Sequence, residues 1–209
     1  MAMVSNLLVG PNSASGIRGR LQDLDDTSYS DNLLTSFVSD AQQDFALTGC
    51  CQHRAEVTPD GSNSYIALST TTLTYRHLAI YAVTHNSLPL DFAPQKEARY
   101  WSPTSGTPSA WTIWMVSGAD RMYFDMIPET SPKIVIWFTF IPSQLSSTSD
   151  TLLVPDKWHN ALKAYAEYRV RSTDREDGLA ERAFSEYQAA RETSLLVNEA
   201  VLQTGGPSK

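Results

Sequence analysis

Trp111-Thr112-Ile113-Trp114-Met115-Val116-Ser117-Gly118-Ala119-Asp120-Arg121-Met122-Tyr123-Phe124-Asp125-Met126 is the stretch that decides the fold. Two runs of strand-forming residues flank a polar loop, Ser117 to Asp120, that contains glycine, and this is the pattern of a β-hairpin. In the second run Met122, Phe124 and Met126 fall on one side, with Arg121, Tyr123 and Asp125 on the other. Trp111 and Trp114 have opposite parity in the first run, so at least one of them lies off the core face. Downstream, Ile134, Ile136, Phe138 and Phe140 alternate with Lys133, Val135, Trp137 and Thr139. Apolar residues on both sides of that strand place it inside a sheet. Upstream, the turn Pro59-Asp60-Gly61 opens a segment crowded with Thr, Tyr, Ile and Val. Strands are expected over 64–69, 73–83, 110–116, 121–127 and 133–141.

On either side of this β region the apolar period changes to that of a helix. Ser30 is a good N-cap, Asp31 suits a first turn, and Leu33, Leu34, Phe37, Val38, Ala41 and Phe45 share one face before Gly49 closes the helix. Ile17, Leu21 and Leu24 trace a shorter helix before it. In the back third, Pro155 stands at a first-turn position, and Trp158, Ala161, Leu162, Tyr165 and Ala166 form an amphipathic stripe. Thr173 with Glu176 fits a capping box for a second helix, whose buried side is Ala180, Ala183, Phe184, Tyr187 and Ala190. Neither stripe can be buried alone, so Trp158, Leu162 and Tyr165 are expected to pack on Leu34, Phe37 and Val38.

The expectation is an α+β fold: a helical bundle built from the N- and C-terminal segments, with a central antiparallel β-sheet or small β-barrel module. Residues 1–16 read as a flexible arm, 17–55 and 151–197 as the bundle, 56–150 as the inserted β module, and 198–209 as a flexible tail.

Composition narrows the function. Of 209 residues, 42% are hydrophobic and 19% charged, enough for a buried core. The net charge is -7, and residues 1–60 carry only Arg18, Arg20 and Arg54 against seven Asp and one Glu. That balance argues against a protein that grips nucleic acid backbone. Two adjacent cysteines, Cys50 and Cys51, exclude a disulfide-stapled secreted scaffold and fit a reducing compartment. Residues 1–10 lack the basic segment of a signal peptide, and the densest apolar run, 134–141, is too short to cross a bilayer, so a protein folded without export and without a membrane partner is expected.

No catalytic or metal-binding pattern stands out. Cys50-Cys51-Gln52-His53 lacks the paired spacing of a zinc site, and it reads as a helix-to-strand loop. His77, His85 and His159 are scattered, Asp125 and Glu129 straddle a turn, and no nucleophile elbow or phosphate-binding loop occurs. Neither an enzyme nor a cofactor is expected. The aromatics are the stronger oddity: Trp101, Trp111, Trp114 and Trp137, with Tyr81, Tyr100 and Tyr123, crowd the β region. They serve either as sheet core or as an interface, with Trp111, Trp114 and Trp137 the candidates. At the other end, Leu195, Leu196, Val197, Val201 and Leu202 form an apolar stretch that suits either a partner surface or a last helical turn packed on its own bundle.

The order of parts carries a resemblance. Tyr29-Ser30-Asp31-Asn32-Leu33-Leu34 through Asp40-Ala41-Gln42-Gln43-Asp44 precedes the β-rich insert. Gly106-Thr107-Pro108 introduces the hairpin, Ile127-Pro128 precedes the strand 134–140, and Leu152-Leu153-Val154-Pro155-Asp156-Lys157-Trp158 leads into a Tyr/Ala-rich helix and a second helix. From Ile17 to Arg191 this layout resembles the tailed-bacteriophage adaptor (head-to-tail connector, or head completion) proteins. The resemblance implies a structural virion protein of the neck and tail region, assembled in the host cytoplasm. It implies a ring of copies, usually a dodecamer, that joins the portal protein to a tail or nozzle protein while DNA passes through the central channel. In such proteins a C-terminal segment reaches into the portal, which points to 195–202. Two other readings stay open: a carbohydrate- or receptor-binding module on the Trp-lined sheet, and a tail-completion protein of the same virion.

Overall fold

A computed structural model describes residues 2–10, 15–23 and 28–203, with side chains through Glu199. In chain order the elements are α1 (Val4–Val9), α2 (Ile17–Leu21), α3 (Asp31–Ala46), β1 (Gln52–Val57), β2 (Tyr65–Ala67), α4 (Thr70–Leu73), β3 (Arg76–His85), β4 (Leu88–Pro89) and β5 (Asp91–Phe92). They continue with α5 (Gln95–Ala98), β6 (Ala110–Val116), β7 (Ala119–Phe124), β8 (Ile134–Ile141), a 3₁₀ turn (Asp156–Trp158), α6 (His159–Thr173) and α7 (Asp177–Gln203). The fold is α+β. Helices α1 to α3, α6 and α7 as far as Ala200 gather in one unit, residues 1–51 and 141–200; the strands up to Phe140, with the short α4 and α5, form a second, residues 52–140, which also takes in the end of α7 from Val201.

In the helical unit Ser30 caps α3 by accepting from the Leu33 N–H at 3.3 Å, and Gly49 takes φ 78° in the turn that follows the helix. Leu34, Val38, Ala41 and Phe45 of α3 are fully buried, and α6, whose Leu162 and Ala166 are buried as well, packs against this helix. Trp158 is half-buried and meets Phe45 (ring centroids 5.5 Å), about three helical turns along α3 from the expected Leu34. Tyr165 meets Tyr187 of α7 at 5.0 Å, and Phe37 lies beneath the Arg169 guanidinium at 5.0 Å. The buried Arg18 of α2 reaches Asp23 at 2.8 Å and Asp31 at 2.6 Å, which ties α2 to the start of α3.

Both chain ends depart from expectation. Residues 2–10 hold α1, whose Val4, Leu7 and Leu8 are buried, and the backbone beside it bonds to residues 148–152 (Val4 N–H to Asp150 C=O 3.0 Å, Leu152 N–H to Ala2 C=O 2.9 Å). Apolar residues at i, i+3 and i+4 fasten a segment whose Ser, Asn and Gly content reads as a loose arm. At the other end α7 continues to Gln203, past residue 197, where a tail was expected to begin. Residues 1, 11–14 and 204–209 of the expected arm and tail, and Leu24 of the expected short helix, lie outside the described residues. The Thr173–Glu176 capping box does not form: Thr173 donates back to the Arg169 carbonyl, and α7 begins at Asp177.

The β unit holds two open four-stranded sheets, ordered β1-β8-β3-β4 and β2-β7-β6-β5, and no closed barrel forms among the described residues. Pairing is antiparallel wherever the register is given, except that β5 runs parallel to β6. Central β8 buries Ile134, Ile136, Phe138 and Phe140 on one face, while on the other Thr139 is buried and Val135 and Trp137 are half-buried. The β6–β7 hairpin closes in two residues, tighter than the four-residue loop expected: Val116 pairs with Ala119, and Ser117 (φ 53°) and Gly118 (φ 78°) supply a type I′ turn. Strand β1 occupies what read as a loop, and Leu73, expected in a strand, ends α4, which Ser69 caps.

Candidate interaction surfaces

Helix α7 builds the first surface. Its side chains Ser194 and Asn198, one turn apart, are buried. Ser194 shares a 2.8 Å hydroxyl contact with Thr48, and the Asn198 amide donates to the Thr48 carbonyl at 3.0 Å and to Ser194 Oγ at 3.2 Å. This polar anchor consumes the inward side of the helix. Helical spacing then turns the neighbours outward: Leu195 is half-buried, while Leu196 is 69% and Val197 39% exposed. Val201 and Leu202 continue the helical backbone. Of the two readings of this stretch, packing back on the bundle describes Ser194 and Asn198, and an outward apolar face describes Leu196 and Val197.

The tryptophans separate as parity requires. Trp111 is 4% exposed, its indole N–H donates to the Leu90 carbonyl at 3.2 Å, and Phe92 meets its ring edge-on. As an interface candidate it is corrected: it belongs to the core. Trp114 points to the other face, 5.2 Å from Tyr123, which lies 5.5 Å from Tyr65, and Arg121 caps that row at 4.6 Å from the Tyr65 ring. Trp101, Arg99, Trp114 and Tyr123 line a cleft of about 220 Å³ on this face. Trp137 sits in the other sheet, half-buried beneath the Arg54 guanidinium at 5.7 Å. Trp114 and Trp137 therefore occupy different sheets. Tyr100, one of the aromatics singled out, is exposed, and the sequence reading missed the exposed side chains of Leu78, Leu88, Phe92 and Met115, all in the β unit. The usable signal was the apolar content of 78–83 beside so few charges.

The titratable groups make structure. His77 stands 3.3 Å from Asp120 in a cleft of about 430 Å³ shared with Arg76, Ser69 and Thr70. Burial lowers its pKa, against the pull of Asp120. Tyr187, buried and donating to Asp44, has its pKa raised by desolvation first and by that hydrogen bond second. The hydrogen bond with Cys50 and then burial raise the Cys51 thiol, so it stays protonated. Arg20 bridges Glu167 and Glu186. Among the described residues no cluster of His, Cys, Asp or Glu could hold a metal ion, and no helix is long and apolar enough to cross a membrane.

The family model described as SU10 adaptor protein matches residues 13–206, and the chain belongs to that family. It is a phage structural adaptor, of a non-enzymatic kind, with a place in the virion among proteins such as portal and tail. No curated protein matches the chain.

Proposed function

We propose that this protein is the ring-forming subunit that joins the portal to the tail in the neck of a tailed phage. The observation that carries the reading is the outward apolar face of α7, Leu196 and Val197, held in place by the Asn198–Thr48 anchor within a chain of the adaptor family. A monomer gains nothing from stiffening an exposed apolar helix end, whereas a docking element gains preorganisation. Leu195, Leu196, Val197, Val201 and Leu202 enter the portal, and Trp114 and Trp137 face neighbouring subunits or the tail protein beneath. The ring is a dodecamer with DNA passing through its centre. A net charge of -7 favours transit over binding.

The test is co-sedimentation with the portal of the same phage, imaged by negative stain. Leu196→Asp with Val197→Asp retains the wild-type melting profile and loses portal attachment. Full attachment of the double variant removes α7 as the docking element. The aromatic cleft of Trp101, Trp114 and Tyr123 favours one other reading, a saccharide-binding face. Saturable sugar binding that Trp114→Ala abolishes would establish it.

A further inference from the structure

Met115, near the tip of the β6–β7 hairpin, is 73% exposed and stands between two clefts of about 430 Å³ each. Arg76 and His77 line the first with it, and Gln95, Arg99 and Trp114 line the second. Arg76 and Arg99 are exposed, and neither makes an ion pair among the described residues. Asp120, which lies opposite Met115 in the hairpin ladder, is engaged by His77 at 3.3 Å. Glu97, two residues before Arg99, is not ion-paired with it. An exposed methionine flanked by two uncompensated arginines, in a chain of net charge -7, has the composition of an interface core and the charge to meet an acidic partner.

The start of α7 offers the opposite charge. Asp177, Glu181 and Phe184 fall at i, i+4 and i+7 and share one stripe of the helix. Both carboxylates are exposed and make no ion pair among the described residues. Phe184 stays 36% exposed even though it meets Tyr168 at 4.7 Å. Glu192 and Glu199 continue the stripe past Leu195, in the part of the helix that the proposed function gives to the portal. Its first turns are left for another partner.

We infer that the Met115 patch of one copy receives the first turns of α7 of the next copy, with Phe184 on Met115 and Trp114 and with Asp177 and Glu181 against Arg76 and Arg99. This rests on the ring reading and names the contact between neighbours. Thioether and indole both suit an aromatic ring, and the charges around them are complementary. The two surfaces belong to different units of the chain, so every copy gives one and receives one, as cyclic closure needs. A patch that met its own kind would set arginine against arginine, and α7 against α7 would set carboxylate against carboxylate.

Charge reversal in the full chain tests this. Arg76→Glu with Arg99→Glu makes one variant, and Asp177→Asn with Glu181→Lys makes a second. All four side chains are exposed, so both variants keep the wild-type melting profile. Each alone self-associates at least about tenfold more weakly than wild type in sedimentation velocity. Mixed, the two recover assembly, because the acidic patch of one meets the basic helix of the other. Met115→Cys and Ser185→Cys chains, mixed and treated with a short bis-maleimide, give 115–185 links, with buried Cys50 and Cys51 as the unlinked background. Links of 115 to 115, a mixture that stays apart, or full-strength assembly of either charge variant alone overturns this contact and leaves the ring standing on another surface. A wild-type chain that stays monomeric at every concentration, alone and with portal, overturns the ring reading and this contact together.

Discussion

The helical unit and the β unit treat their loose ends in opposite ways. In the helical unit polar backbone and side-chain groups close on one another. The strand-like residues beside α1 bond to 148–152, Gln42 accepts from the Leu153 N–H at 2.8 Å, and Asn198 and Ser194 occupy Thr48. In the β unit the side chains of Leu78, Phe92, Tyr100 and Met115 remain open. A unit that satisfies its own groups sets its shape alone, and a unit that leaves them open is shaped for a neighbour. Four substitutions probe this difference.

The largest effect belongs to the closed side. Phe45 is fully buried between Trp158 and Tyr187, and Phe45→Ala should cost about 3–5 kcal/mol, read as a lowered midpoint in urea. A loss under half of that would mean the helical core is looser than its burial implies. Next is Asn198→Ala, which strands the buried Thr48 carbonyl and should cost about 1–3 kcal/mol. Hydrogen exchange should then quicken along 194–203 and leave 52–140 unchanged. Gly118→Ala isolates backbone strain in the β unit. Gly118 has φ 78° and nothing within 4 Å of an added Cβ, so a loss of about 1 kcal/mol would be conformational alone. The smallest effect on stability is Leu196→Ser, within about 0.5 kcal/mol because the side chain is exposed, with loss of portal attachment as its only consequence. A stability loss as large as that of Asn198→Ala would place Leu196 in the bundle.

Helix α3, the hairpin and β8 were legible because each carries its own period. Ser30 and the Leu34–Val38–Phe45 face mark a helix, and Met122 and Phe124 opposite Arg121 and Tyr123 mark a strand. The split of Trp111 from Trp114 followed from parity alone. Strand β1 was not legible, since in Gln52-His53-Arg54-Ala55-Glu56-Val57 only Ala55 and Val57 are apolar, too few to mark a strand before its pairing with β8 is seen. Helix α1 was hidden by the Ser and Asn around Val4, Leu7 and Leu8. The apolar run of β3 is that of a buried strand, and nothing local says that β4 stops after two residues. Of the candidate surfaces, the outward turn of Leu196 needed the Asn198 anchor, a contact 150 residues away in sequence.

The helical unit is built from the two ends of the chain, and this fixes when it can exist during synthesis. Residues 52–140 leave the ribosome as one continuous stretch and contain every strand of both sheets up to Phe140. Helix α3 is made before them, yet Phe45 waits for Trp158 and Tyr187, and Thr48 waits for Asn198. Domains fold as units as they emerge, and contacts of long sequence separation form late. The α7 face therefore takes shape only on a finished chain. A chain cut short in translation has neither the anchor nor the face it orients.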